Sequence, residues 1–188
     1  MRVLISQRDV QIPPSNFIYD ALERGWYKLL ANHTIITAAN TMMVDTSIEF
    51  DCLVISGGPD SIERHLTENM LFAHAIQLNK PIIGVCHGAF TINDLTGGIN
   101  GRINDHWMTD HNVIIDGTIE KVNSYHGQSI ESLGDDMIPI ATCANDNSIE
   151  AFQHKEKPIV GIVWHPERME NPVLPTLAKD ILDGKYSA

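Results

Sequence analysis

Residues 81–88 read Pro-Ile-Ile-Gly-Val-Cys-His-Gly, and this stretch decides the fold. The apolar run Ile82–Val85 is too short for a helix and follows a proline, which indicates a buried strand. A helical pattern from His87 to about Leu95 follows, so Cys86 lies where a strand ends and a helix begins. A nucleophile flanked by glycines at such a junction is typical of the strained turn known from G-x-S-x-G sequences. The helix N-terminus favours the thiolate form of Cys86; the alternative is a buried core cysteine.

The segments around this stretch alternate between short apolar runs and amphipathic patterns. Strands are predicted at Val3–Ile5, Thr34–Thr37 and Cys52–Ile55, and helices at Phe17–Leu30 and Met70–Leu78. This alternation is typical of a mostly parallel sheet with helices on both faces. We therefore predict the α/β class.

The second half of the chain is less regular. Short alternating pieces at Val113–Ile115, Ile119–Val122 and Ile159–Val163 predict further strands. Asn171 followed by Pro172 is typical of an N-cap and first helical residue, which predicts a last helix ending near Leu182. No repeat or Gly/Ser linker interrupts the sequence, so we predict one domain over residues 1–188.

Composition and charge exclude several classes of protein. Lys and Arg number 13 against 24 Asp and Glu, so the formal net charge is −11. Such a field repels phosphate backbones and anionic lipid, so we expect no nucleic-acid partner and no membrane partner. The three cysteines form no CxxC pair, and no signal-peptide pattern opens the sequence, so we expect a cytoplasmic protein with reduced thiols. Cys52 and Cys143 are predicted to lie in the core.

A nucleophilic Cys86 needs a base and a group that orients the base. The predicted strand Ile159–Val163 is followed by His165 and Glu167, two apart, which in an extended segment project to the same side. His165 could then take the thiol proton while Glu167 holds its tautomer; the alternative is a surface turn.

The stretch Ser-Gly-Gly-Pro-Asp at residues 56–60 also follows a predicted strand. Its backbone N–H groups could face an anion, as an oxyanion hole requires, or the segment could be only a tight loop. The remaining histidines show no ligand spacing with a carboxylate neighbour, so we expect no metal site. They are His33, His65, His74, His106, His111 and His154.

Three motifs, which match a known family in order and spacing, give the sequence a family resemblance. Residues 84–88, 56–59 and 164–167 resemble the nucleophile turn, oxyanion loop and His-Pro-Glu motif of class I glutamine amidotransferases. The resemblance implies the three-layer fold of that family and a Cys-His-Glu triad that hydrolyses a γ-glutamyl amide through a thioester. It makes Cys86 the nucleophile, His165 the base and Glu167 its partner, with the N–H groups of Gly58 and His87 as the oxyanion hole. No cofactor is implied.

The segment at residues 122–128 looks like the N-S-x-H segment of the γ-glutamyl hydrolase branch, which acts alone. A narrower similarity is to the γ-glutamyl-CDP-amidate hydrolases of capsular phosphoramidate synthesis, carried by residues 5–8, 123–126, 149–156 and 164–168 together with Trp26. His87 departs from the Arg or Leu of many relatives, and residues 127–128 also suit hydrolases of small γ-glutamyl amines. The substrate-binding residues expected from this resemblance are Arg8, Gly57, Asn123, Ser124, Tyr125 and His126.

The expected partner is therefore a small γ-glutamyl compound, preferably a nucleotide amidate whose anionic part faces Arg8. The alternative is that Arg8 is an exposed surface charge that does not contact the substrate. Two other functions stay open: a glutaminase subunit that supplies ammonia to a synthetase, and a non-catalytic protein of the same fold. The intact set of Cys86, His165 and Glu167 argues against the last.

Overall fold

A nine-stranded sheet forms the centre of the protein in the computed structural model, which describes residues 1–41 and 43–186. The strands in chain order are β1 (Arg2–Ser6), β2 (Arg8–Gln11), β3 (Ile18–Ala21), β4 (Thr34–Ala38), β5 (Cys52–Ile55), β6 (Ile82–Val85), β7 (Ile99–Arg102), β8 (Trp107–Ile115), β9 (Thr118–Tyr125), β10 (Gln128–Ser132), β11 (Met137–Cys143), β12 (Ile149–His154) and β13 (Ile159–Ile162). The helices are α1 (Arg24–Leu29), α2 (Ile62–Gln77), α3 (His87–Leu95) and α4 (Thr176–Leu182).

The strand order in the sheet is β4-β1-β5-β6-β13-β12-β11-β8-β9. The first five of these strands are parallel. The last four continue the sheet with antiparallel pairings. Strand β13 lies between the two parts, parallel to β6 and antiparallel to β12. The remaining strands form two small two-stranded sheets, the hairpin β2–β3 and the pair β7–β10.

Helices cover both faces of the parallel part. Alternate residues of a strand point to opposite faces, so Val3 and Ile5 pack with α1 and α4, whereas Leu4 packs with α2 and α3. The other parallel strands divide in the same way, with Ile83 on the first face and Ile82 on the second. The predicted α/β class with a helix-flanked, mostly parallel sheet is confirmed.

The prediction of a helix over Phe17–Leu30 is wrong in its first half. Residues Ile18–Ala21 form β3, which pairs with β2, and the helix begins only at Arg24. Phe17 and Ile18 are 73% and 68% exposed, so these apolar residues do not form a buried helical stripe. Trp26, on the part that is helical, lies in the core.

Two other helix boundaries differ from prediction. The last helix begins at Thr176, not after Asn171, because Pro175 disfavours helical backbone at the residue before it. Helix α2 extends further toward the N-terminus than predicted because Ser61 caps it, its hydroxyl accepting the Arg64 N–H at 3.1 Å. None of the helices within the described ranges is long and apolar enough to cross a membrane.

Candidate active site

Cys86 lies at a strained turn between β6 and α3. Its φ is +51°, in the left-handed region that non-glycine residues seldom occupy, and its side chain is partly exposed. A Cβ on Gly88 would overlap the backbone of Ile55, and one on Gly84 would overlap the backbone of Gly88. The turn therefore needs both glycines, and it presents the thiol at the carboxyl end of β6.

His165 and Glu167 reach the same place from the neighbouring strand. Val85 on β6 lies opposite Ile162 on β13, so the two chains leave the sheet side by side. Nδ1 of His165 and Oε1 of Glu167 are 2.7 Å apart, and both side chains are buried. The predicted extended geometry is wrong, since residues Pro166–Arg168 form a 3₁₀ turn. The turn still brings the two side chains into contact.

The surroundings of His165 favour its charged form. Burial opposes the charge, but hydrogen bonds to Cys86 and Glu167 and the negative charge on both outweigh it and raise the pKa of His165 to about 9. With Nδ1 bonded to Glu167, Nε2 is the ring nitrogen left for the thiol, an assignment inferred from this hydrogen bond. The arrangement can hold an imidazolium beside the Cys86 sulfur at neutral pH.

Two further contacts fix His165. The side-chain amide of Asn123 donates to the His165 carbonyl at 2.8 Å and accepts the His165 N–H at 2.9 Å. A Cβ on Gly57 would lie 2.5 Å from Cε1 of the His165 ring, so glycine allows the ring to lie against the backbone. Asn123 and Gly57 thus position the imidazole.

The N–H groups predicted to form the oxyanion hole flank Cys86. Gly58 has a φ of +138°, and a Cβ there would lie 2.8 Å from both Arg8 and Arg64. His87 is the first residue of α3, where helical N–H groups have no partner within the helix. Both residues line the cavity that contains Cys86, and their role as an oxyanion hole stays a prediction.

A buried ion-pair network links the loop around Gly58 to His87. Arg64 and Glu68 on α2 are fully buried, with Nε and Oε1 2.8 Å apart. Arg64 also donates to the carbonyls of Ser56 and Pro59, on either side of Gly58. Glu68 contacts the His87 imidazole at 2.7 Å. The sequence interpretation missed this network, for which the i,i+4 spacing of two opposite charges was the only signal.

The cavity above Cys86 has a volume of about 400 Å³, within the range of small-molecule sites. Of the predicted substrate-binding residues, Arg8, Tyr125 and His126 line it. Gly57, Asn123 and Ser124 do not line it. The Asn123 amide is occupied by the His165 backbone, and the fully buried Ser124 hydroxyl donates to the His106 carbonyl at 2.6 Å.

Trp107 and Arg168 also line the cavity and were not predicted to bind substrate. Trp107 is 65% exposed, so its ring offers a free apolar face. Arg168 donates twice to the Glu23 carboxylate at 2.9 Å, and its guanidinium lies 4.9 Å from the centre of the Tyr125 ring. The motif at residues 164–168 was the available signal for Arg168.

The predicted isolation of the remaining histidines is wrong for two of them. The rings of His106 and His111 pack edge to face, with centroids 4.7 Å apart, and the His126 ring centroid lies 4.9 Å from that of His106. Neighbouring strands of the antiparallel part bring them together, because residues distant in sequence are adjacent across a sheet. Cys52 and Cys143 lie in the core, as predicted.

Comparison with known proteins agrees with this geometry. The Peptidase C26 family matches residues 44–167. The chain is similar to γ-glutamyl-CDP-amidate hydrolase from Campylobacter jejuni, with 33% identity over 165 residues that cover 79% of this chain and 81% of that protein. It is also similar to a GMP synthase (glutamine-hydrolysing) subunit from Picrophilus torridus, with 28% identity over 68% of this chain and 73% of that protein.

The fold has a counterpart among solved structures. A glutamine amidotransferase from Thermotoga maritima superposes with a TM-score of 0.69 at 15% identity, over 88% of this chain and 76% of that one. The family match spans well over half of the chain, and the first relative covers most of it. The protein therefore belongs to the Peptidase C26 family and is an enzyme that hydrolyses carbon–nitrogen bonds.

Proposed function

We propose that the protein is a cysteine hydrolase that cleaves a γ-glutamyl–nitrogen bond and releases glutamate. Cys86 is the nucleophile, His165 the acid and base, Glu167 the group that orients His165, and the amides of Gly58 and His87 the oxyanion hole. One observation carries this assignment: the thiol at the strained turn lies beside a buried imidazole whose other nitrogen is bonded to a carboxylate.

The reaction follows from this arrangement. The Cys86 thiolate attacks the γ-carbonyl carbon, and the two amides stabilise the negative oxygen of the tetrahedral intermediate. The carbon–nitrogen bond breaks as imidazolium His165 gives its proton to the leaving nitrogen, which leaves a γ-glutamyl thioester on Cys86. His165 then takes a proton from water, the hydroxide attacks the thioester, and the sulfur leaves as thiolate. The products are glutamate and the free amine or amidate.

We propose a γ-glutamyl-linked nucleotide amidate as the substrate. The cavity wall carries the features that such a leaving group needs, namely a cation for phosphate and aromatic faces for a base. Arg8 and Arg168 supply the charge; both contact the Glu23 carboxylate, and Arg168 also lies 3.9 Å from Glu167, whose nearer partner is His165. Trp107 and Tyr125 supply the rings. The similarity to the Campylobacter jejuni hydrolase supports the same substrate.

Two alternative functions remain to be tested beside this one. The similarity to a GMP synthase subunit supports a glutaminase that delivers ammonia to a synthetase partner. Residues 127–128, which line the cavity, support a hydrolase of small γ-glutamyl amines.

We also propose a single domain over residues 1–188. We propose a cytoplasmic location as well, since Cys52, Cys86 and Cys143 are all free thiols.

Substrate preference gives the test of this proposal. We expect γ-glutamyl-CDP-amidate to be hydrolysed with a much higher kcat/KM than glutamine or γ-glutamyl-aminobutyrate, because binding energy from the remote nucleotide can be used in the transition state. Arg8→Ala should lower kcat/KM for the nucleotide about tenfold, the effect of one lost charge-assisted hydrogen bond. The effect on glutamine should be small. Glutamate release measures all three rates.

Arg102→Ala is the matched control for this test, because Arg102 is an exposed arginine outside the cavity. It should leave every rate unchanged. Equal rates on the three substrates, or a preference for the aminobutyrate compound, would overturn the nucleotide assignment. Glutamine hydrolysis that appears only with a co-purified synthetase would favour the glutaminase subunit.

The two members of the His165–Glu167 pair should differ in effect. His165→Ala removes the acid and base. Glu167→Gln keeps the imidazole but no longer fixes its tautomer or stabilises its positive charge. The loss of kcat in Glu167→Gln should therefore be about a hundredfold smaller than in His165→Ala. Because Glu167 helps to raise the pKa of His165 to about 9, the alkaline limb of the kcat/KM profile should move to lower pH in Glu167→Gln. Activity measured between neutral and alkaline pH gives this result. An unmoved alkaline limb would mean that Glu167 does not act through His165.

A further inference from the structure

Three buried side chains from separate parts of the chain converge behind the cavity wall. His106 immediately precedes β8, His126 immediately follows β9, and Glu150 lies on β12. Their exposed fractions are 4%, 4% and 0%. Of the three, only His126 also lines the cavity. The mechanism proposed above uses none of them.

The three donor atoms form a nearly equilateral triangle. His106 Nδ1 lies 3.3 Å from His126 Nε2 and 3.2 Å from Glu150 Oε1, and His126 Nε2 lies 3.6 Å from Glu150 Oε1. Zinc binds imidazole nitrogen and carboxylate oxygen at about 2.0–2.2 Å, so the donors of a tetrahedral site are about 3.4 Å apart. The triangle therefore has the size that one tetrahedral metal ion requires.

The outer hydrogen bonds direct the lone pairs of both rings toward the same point. His106 Nε2 lies 2.9 Å from an Asp146 carboxylate oxygen, and His126 Nδ1 lies 2.8 Å from the Gln128 carbonyl oxygen. Each of these contacts requires an N–H on the outer nitrogen, so in the neutral rings His106 Nδ1 and His126 Nε2 are acceptors. Two imidazole lone pairs and a carboxylate then face one another. In metal sites, the ring nitrogen of a ligating histidine that does not bind the metal usually donates a hydrogen bond to a carboxylate or a carbonyl.

Unpartnered polar atoms beside the triangle give a second, independent observation. Oε2 of Glu150 and both ring nitrogens of His111 are buried without a hydrogen-bond partner in the described chain. His111 Nε2 lies 3.4 Å from Glu150 Oε2. Buried polar atoms without partners are rare and costly, and a bound cation would give the carboxylate its missing counter-charge.

We propose that His106, His126 and Glu150 bind one divalent transition-metal ion of the zinc class. Two imidazoles and one carboxylate suit zinc and its neighbours, whereas calcium and magnesium prefer oxygen ligands alone. The ion would tie together the segments before β8 and after β9 and strand β12, and so fix the part of the cavity wall formed by His126. A second group of possible metal ligands consists of His106, His111 and Cys143. It shares His106 with the first group and differs from it by offering a sulfur ligand.

Metal binding by the full chain, with any affinity tag removed, tests this proposal. After loading with Zn²⁺ and dialysis, the wild-type protein should retain about one zinc per chain, and Zn²⁺ should raise its Tm. Glu150→Gln and His126→Asn should each lose the bound zinc and the Tm increase. The matched control is His65→Asn, which replaces an exposed histidine on α2 and should retain both. Cys86→Ala should also retain one zinc, which separates this site from the catalytic thiol.

Cobalt identifies the ligands. Co²⁺ bound at His106, His126 and Glu150 should show the visible bands of a tetrahedral ion without a sulfur charge-transfer band. A sulfur band that disappears in Cys143→Ser would assign the metal to the other set and overturn the proposal. Wild-type protein that retains no zinc and shows no cobalt bands would overturn it as well, whether or not the variants fold.

Discussion

Cys86→Ala should abolish glutamate release, with a fall in kcat of about 10⁴-fold or more, as is typical when a covalent nucleophile is removed. The physical reason is that, within the described chain, Cys86 is the one thiol lining the cavity, so the variant has no group there to form the thioester. The fold should persist, because alanine keeps the backbone of the turn and removes only a partly exposed sulfur. Thermal unfolding should give a Tm close to that of the wild-type protein.

Cys52→Ala is the matched control for this loss. Cys52 is fully buried in β5, and burial raises the pKa of its thiol, so it is a core residue without a chemical role. Its variant should keep normal kcat. Iodoacetamide should label Cys86 first, and an electrophilic glutamine analogue should prevent that labelling. Normal turnover by Cys86→Ala would refute the proposed mechanism.

Arg64→Met should destabilise the protein by about 3–5 kcal/mol, the cost of leaving one partner of a buried ion pair without the other. Glu68 would then be a fully buried carboxylate that keeps only the contacts to Ser6 and His87. For a chain of this size, the Tm should fall by about 10 °C. The kcat should fall too, because Arg64 holds the carbonyls on either side of Gly58. Calorimetry and the glutamate assay measure the two effects.

The matched control is Lys155→Met, which removes one partner of an exposed ion pair with Asp136 and should cost less than about 1 kcal/mol. Replacing both partners, Arg64→Met with Glu68→Leu, should recover much of the lost stability. A Tm unchanged in Arg64→Met would show that the pair contributes nothing.

The pH dependence of this network follows from Glu68. Burial raises its pKa, but the hydrogen bond to His87 and the charge of Arg64 outweigh burial and lower it overall. A lowered pKa means that the contribution of Glu68 is present above the ordinary glutamate pKa and is lost as the pH falls through the lowered value. The network should therefore contribute to unfolding in acid.

Local sequence signals were sufficient for the parts of the fold that depend on neighbouring residues. The strand Ile82–Val85, the turn at Cys86 and the helix from His87 follow from hydrophobic run length and glycine placement alone, and the structure has them at those positions. The helix over Phe17–Leu30 failed because apolar residues at helical spacing also suit a hairpin, and only the pairing of β2 with β3 decides between them.

The remaining features depend on contacts that sequence spacing does not encode. Arg64 and Glu68 have the spacing of an ordinary surface pair on a helix, yet both are fully buried, with Glu68 bonded to Ser6 and Arg64 to Ser56. Asn123 was predicted to bind substrate, yet its amide bonds to the His165 backbone. His106 and Glu150 are 44 positions apart and meet only because of strand order.

The side-by-side position of β6 and β13 has a consequence for how this protein can change. Cys86 and His165 are separated by the whole antiparallel part of the sheet along the chain, but in space they are separated by one step of a parallel ladder, about 4.8 Å between strands. Loops between α3 and β13 can therefore lengthen, shorten or change composition without moving the thiol relative to the imidazole. The loops of this segment can therefore diverge while the β6–β13 ladder and the contact of Asn123 on β9 with His165 keep the catalytic pair in place.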